Sequence, residues 1–181
     1  MLRVALLDRH PARLDGLRTR LKADPETDVV SLLTAPALWR RLRDFHPHVV
    51  VLAHPDALSI CRDVKRGRRA PAVVLVTPWG GSAFTLAAHA AGADGLVAAT
   101  EPAQHMVDLT RAAAAGEATL PGFRRGGYAG ALDRLQDDDL PVLTMLLERR
   151  PPATIAATLG LAPGAVDGRV QRVVGQLEPV V

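Results

Sequence analysis

The chain has 181 residues, 48% of them apolar and 23% charged, which is the composition of a folded globular protein and excludes a disordered one. Its one cysteine, Cys61, excludes an internal disulfide and is expected to be a small core residue in a reducing compartment; no apolar run approaches membrane length, so the cytoplasm is the expected location. The net charge of +3 is unevenly spread: residues 1–121 carry 15 basic and 12 acidic side chains, whereas residues 134–181 carry five and six.

The first 120 residues alternate β-branched runs with segments of helical period. Arg3–Leu7 reads as a strand and His10–Leu21 as a helix with Leu14, Leu17 and Leu21 on one face. Asp28–Leu33 is a second strand, followed by a helix over Ala35–Asp44. Val49–Ala53 is an unbroken apolar run, the signature of a strand buried on both faces, and Ala57–Arg66 is helical. Val73–Thr77 is another buried run, Ser82–Ala91 a helix, Leu96–Ala98 a short strand, and Pro102–Gly116 an alanine-rich helix. Five strands alternating with five helices predict an α/β fold, a doubly wound five-stranded parallel sheet with helices on both faces.

From Pro121 to Ala131 the sequence PGFRRGGYAGA reads as a flexible linker containing Arg124 and Arg125. The remainder predicts helices at Asp137–Arg149, Ala153–Leu159 and Gly164–Leu177, with Gly160 at the turn between the last two. That arrangement fits a helix-turn-helix. The expected division is therefore 1–121, a linker 122–133, and a small all-α domain 134–181.

Several residue groups invite chemistry. His10, His54, Asp8 and Asp56 are expected at the C-terminal edge of the sheet, but their spacing is not a metal signature and surface loops are the simpler reading. Lys65-Arg66-Gly67-Arg68-Arg69 is the densest positive run and reads as a solvated loop, nucleic-acid contact being the minority alternative. Trp39 and Trp79 read as packing residues. No nucleophilic triad, phosphate-cradling glycine loop or zinc spacing can be assembled, so neither an enzyme, a cofactor nor a metal is expected.

Read in order, RVALLDRHPARLDGLRTRL, HPHVVVLA, VVLVT, AAHAAGADGLV and RAAAAGEATLP are similar to the receiver segments of NarL/FixJ-type response regulators. The stretch LQDDDLPVLTMLLERRPPATIAATLGLAPGAVDGRVQRVVGQL resembles the LuxR-type helix-turn-helix. The resemblance covers essentially the whole chain and implies a receiver-like unit of flavodoxin-like strand order followed by a DNA-binding domain. Aspartyl phosphorylation needs a carboxylate nucleophile, a Mg²⁺ held by acids, and a hydroxyl and an ammonium on the phosphoryl oxygens. Carried over residue by residue, the nucleophile falls on Ala53, the acid pair on Asp8 and Arg9, the lysine on Ala99, the switch aromatic on Leu96 and the hydroxyl on Thr77. The resemblance is thus to an atypical member, a pseudo-receiver. Arg9 is expected either to take the metal's place beside Asp8 or to point into solvent. Asp56 reads as the cap of the following helix rather than a displaced acceptor.

In the C-terminal part the resemblance assigns DNA contacts to Arg149, Arg150, Ala165, Asp167, Gly168, Arg169, Gln171 and Arg172, the recognition helix beginning near Pro163. Arg149 stands where the family has a turn glycine, and Ala165 and Asp167 where it commonly has Thr and Lys. Dimerisation is expected through the first and fifth receiver helices, with apolar surface from Val107 and Ala114, or through the last helix. The expected function is a phosphorylation-independent transcriptional regulator that binds DNA as a homodimer and uses its receiver for dimerisation or for sensing a small molecule or protein partner. The alternative is a protein–protein interaction module whose helix-turn-helix no longer binds DNA, favoured by Asp167, Gly168 and the acidic balance.

Overall fold

The alternating pattern of the first 120 residues folds into β1 (Leu2–Leu7), α1 (Pro11–Leu21), β2 (Thr27–Leu32), α2 (Ala35–Asp44), β3 (Val49–Leu52), α3 (Ala57–Lys65), β4 (Ala72–Thr77), α4 (Ser82–Ala91), β5 (Gly95–Ala98) and α5 (Ala103–Ala114). This computed structural model describes residues 1–77, 81–117, 119–121, 129–162 and 164–177, so Trp79, Arg124, Arg125, Pro163 and residues 122–128 of the expected linker lie outside the described residues. Contacts divide the chain into two units, residues 1–79 with 93–120, and residues 80–92 with 121–181.

In the first unit the sheet order is β2-β1-β3-β4-β5 and every pairing is parallel. All four residues of β3 are fully buried, as the unbroken apolar run required. Val4, Leu6, Val51, Val74 and Val97 pack on Leu14 and Leu17 of α1 and on Met106 and Leu109 of α5. By the two-residue alternation of a strand, Leu7, Leu52 and Leu75 face the other way, where α2 lies against β1 and β2 and α3 against β4. Cys61 on α3 is buried there; burial pushes its thiol up and keeps it protonated, a core residue as expected. Gly95 opens β5 where nothing larger fits: a Cβ would stand 2.5 Å from Thr119 Oγ1 and 2.7 Å from Leu109 Cδ2.

In the second unit α4 packs against α6 (Ala129–Leu132), α7 (Leu140–Leu147) and α9 (Ala165–Leu177), with α8 (Pro152–Leu159) also on α9. Two details depart from the sequence reading. A short helix, α6, forms inside the segment expected to be linker, where Ala129, Ala131 and Leu132 outweigh Gly130 and bury Ala131. The helix expected over Asp137–Arg149 is instead a 3-10 turn, Asp137–Asp139, followed by α7. Pro141 has no N–H to donate to the Asp137 carbonyl, so an α-helical turn cannot continue through that point.

Candidate functional site

The first candidate site lies at the C-terminal edge of the sheet. Asp8 follows β1 and Ala53 follows β3; the pairing of these strands places both at the same level, and both are buried. Asp8 is fully buried, yet its carboxylate is satisfied. The His10 backbone N–H donates to Oδ1 at 2.9 Å, Arg13 Nη2 donates to Oδ1 at 2.9 Å, and Arg13 Nε donates to Oδ2. Arg13 Nη2 also donates to the Ala53 carbonyl at 3.0 Å. One guanidinium therefore ties together the two strand ends of the edge. The hydrogen bond to Asp8 holds Arg13 above its ordinary pKa.

The cation that meets Asp8 is thus Arg13, which the sequence reading did not name, and of the two alternatives for Arg9 the one that points it into solvent holds. Arg9 is exposed, with Nε 3.4 Å from His10 Nε2. The reason is geometric. Arg9 is next to Asp8 on extended chain, where successive side chains diverge. Arg13 lies in the first turn of α1, and helical side chains lean back towards the helix N-terminus, where Asp8 sits. The spacing of five residues across a strand end and a helix start was the available signal.

Thr77, at the end of β4, is buried, and its carbonyl accepts the Ala99 N–H at 2.9 Å. Ala99 is half-buried and its carbonyl accepts Arg20 Nη1 at 2.7 Å. Asp56 occupies the cap position of α3 without making a side-chain capping bond, which corrects that expectation; its own N–H donates to His54 Nδ1 at 3.1 Å. Among the described residues no group of three or more His, Cys, Asp or Glu could hold a metal ion. Val107, expected to offer dimer surface on α5, is 4% exposed and belongs to the core.

The second candidate site is the outer face of the C-terminal helices. Val166, Val170, Val173, Val174 and Leu177 bury one side of α9, leaving Asp167, Gly168, Gln171, Arg172 and Gly175 exposed along the other. Ala165 is half-buried. Arg172 is turned to the fully buried Asp139, donating from Nε at 2.7 Å and from Nη2 at 2.9 Å, which raises its pKa. Arg169 Nη1 donates to the Asp138 carbonyl.

Arg149 has φ +56°, in the left-handed region that favours glycine. Its N–H donates to Leu146 O at 2.9 Å and the Arg150 N–H to Met145 O at 3.0 Å, the paired bonds that close a helix with a left-handed residue. The same closure after α8 uses Gly160, φ +62°. Arg150 is half-exposed or more and pairs with Glu148 at 3.2 Å.

In α4 of this unit His89 Nε2 lies 3.0 Å from the Pro121 carbonyl, which can only accept, so the ring N–H donates. Burial pushes its pKa down, more than the Pro121 bond raises it, and nearby Arg149 adds to the fall. The unfolded chain then takes up a proton before the folded one. Stability that is complete above the ordinary histidine value is lost as pH falls through it towards the lowered one. The melting temperature is expected to fall between pH 7 and pH 5, and by less in His89→Gln; identical profiles in both proteins would count against this assignment.

These features define a parallel α/β unit of receiver topology and a helical unit built around a helix-turn-helix. No protein-family model matches the chain, and no curated protein matches it either. Solved structures do. A LuxR-family two-component response regulator from Aurantimonas is 28% identical, with 71% of this chain and 95% of that chain covered at a TM-score of 0.60. ChrA, the response regulator of a heme-sensing two-component system, is 24% identical over 97% of this chain and 89% of its own, TM-score 0.55. RcsB from Salmonella enterica serovar Typhimurium, solved bound to promoter rprA in the presence of phosphomimetic BeF3-, is 18% identical over 99% and 94%, TM-score 0.60. The chain has the fold of these response regulators.

Proposed function

We propose that the chain is a DNA-binding transcriptional regulator of the response-regulator type whose receiver-like unit works without aspartyl phosphorylation. The observation that carries this reading is the Arg13 guanidinium on Asp8 and the Ala53 carbonyl. Response-regulator receivers hold a Mg²⁺ at this edge, and the residues here do not fit one. The acid pair is reduced to one carboxylate, that carboxylate already accepts from a cation, and a hard dication requires several oxygen ligands. Position 53 offers a methyl group where the reaction needs a nucleophilic oxygen. Asp8, Arg9, Ala53, Thr77 and Ala99 are accordingly read as a degenerate phosphorylation pocket, and the unit as a pseudo-receiver used for dimerisation or for sensing a small molecule or protein.

DNA binding is supported by the likeness to RcsB, by the complete apolar skeleton of the helix-turn-helix, and by Arg149. A non-glycine residue in the left-handed region costs about 1–2 kcal/mol. Strain of that kind persists where function retains it, and a cation before the second helix is placed to meet phosphate. Arg149, Arg150, Arg169 and Gln171 carry the proposed contacts, Arg150 exchanging Glu148 and Arg169 the Asp138 carbonyl for phosphate; Arg172 is held by two hydrogen bonds to the buried Asp139, and Ala165, Asp167 and Gly168 complete the proposed face. The second reading, a partner-binding module, is favoured by that exposed face of α9, where Asp167 would repel phosphate.

The two are separated by experiment. Incubation with Mg²⁺ and a small phosphoryl donor is expected to leave the intact mass unchanged, Asp56 included. Selected oligonucleotides are expected to bind the full-length protein with an affinity that falls steeply with salt. An acyl phosphate would overturn the first part, and absence of binding at low salt the second.

A further inference from the structure

The densest run of basic residues in the sequence, Lys65-Arg66-Gly67-Arg68-Arg69, lies in the first unit, at the opposite edge of its sheet from Asp8. Residues 40–48 and 62–71 carry eight arginine or lysine side chains against two carboxylates, Asp44 and Asp63. The fold brings these segments together. Residues 44–48 lead from α2 into β3 and residues 66–71 lead from α3 into β4, strands that are paired in register from Val49 and Ala72, and the Ala72 N–H donates to the His48 carbonyl at 3.0 Å.

Part of this charge has a structural task. Arg41 and Arg43 end α2, and Arg62 and Lys65 end α3, where cations favour the negative end of the helix dipole. Lys65 pairs with Asp94 at 2.8 Å and Arg66 with Asp63 at 3.0 Å. Neither device accounts for Arg40 on α2 or for Arg68 and Arg69 in the α3–β4 loop. All three are exposed. The pair in the loop adjoins the exposed Arg66 and lies beside the strand entered from the α2 end.

We propose that this edge is a sequence-independent surface for the phosphodiester backbone of duplex DNA, with Arg68 and Arg69 as its principal contacts. Duplex DNA carries one negative charge per ~1.7 Å of axis and is held by exposed cations through release of its counterions. The acidic balance of residues 134–181 leaves that attraction to be supplied from elsewhere in the chain, and the densest available cations are these. The inference rests on the DNA-binding reading for the identity of the polyanion, and not on any contact made by α9.

The test uses the full-length protein and a fluorescently labelled duplex of random sequence, titrated at several salt concentrations. The double variant Arg68→Ala with Arg69→Ala is expected to bind about tenfold more weakly at low salt, and its dependence of log affinity on log salt is expected to be shallower by about 2. Arg68→Lys with Arg69→Lys should keep the wild-type slope, and the far-ultraviolet spectra and melting points of all three should agree, the changes being in an exposed loop. An unchanged slope in the alanine variant, with wild-type binding intact, overturns this inference alone. Failure of the wild-type protein to bind any duplex at low salt overturns it together with the DNA-binding reading. Polyglutamate competing as well as duplex at equal charge would assign the surface to acidic proteins and overturn it as well.

Discussion

Arg13→Ala is expected to destabilise the first unit by about 2–3 kcal/mol, more than Asp8→Ala does. The asymmetry follows from exposure. Asp8 is fully buried, whereas the Arg13 side chain keeps 40% of its accessible surface. Removing the guanidinium strands a carboxylate where water cannot replace what was lost, and also leaves the Ala53 carbonyl without its side-chain donor. Removing the carboxylate instead frees a cation that can turn outward into solvent at little cost. The value is set below the ~3–5 kcal/mol expected for breaking a fully buried pair because the guanidinium is partly wet. Urea unfolding of the two single variants and the double variant measures the effect. A double variant closer to wild type than Arg13→Ala establishes the coupling; equal stability of Arg13→Ala and wild type would remove the pair as the organising contact of that edge.

Arg149→Gly is expected to move stability and DNA affinity in opposite directions. Relief of a left-handed arginine returns about 1–2 kcal/mol, and the extra freedom of glycine in the unfolded chain takes back about 0.5–1 kcal/mol. The net expectation is a gain of about 0.5–1 kcal/mol in thermal or urea unfolding. On the DNA-binding reading the same change removes one proposed phosphate contact, with about a tenfold loss of affinity for a selected site and a salt dependence shallower by about 1. A variant that is stabilised and binds equally well would make Arg149 a tolerated defect. One that is destabilised would mean that its side chain holds the helix end together.

Much of the first unit was readable because its signals are local. Strand and helix positions follow from periods of two and 3.6 residues, and the predicted strand β3, unbroken in apolar residues, is the fully buried one. The boundaries that shifted did so at Pro141 and at the alanine-rich end of the presumed linker, where single residues decide between competing turns. Candidate site residues were legible where the question was which atom is missing: alanine at 53 and at 99 offers no oxygen and no ammonium, whatever the fold does around it.

The sequence by itself therefore determined the alternating α/β order, the helical tail and the absence of a carboxylate at position 53 and of an ammonium at position 99, because each depends on residue type or near-neighbour spacing. Only the tertiary structure decided which arginine answers Asp8, that Arg172 pairs with Asp139, that α4 clusters with the C-terminal helices, and that the segments following α2 and α3 enter paired strands at one edge. Long guanidinium arms choose among partners distant in sequence, and which carboxylate is within reach and shielded from water is settled by how strands and helices pack.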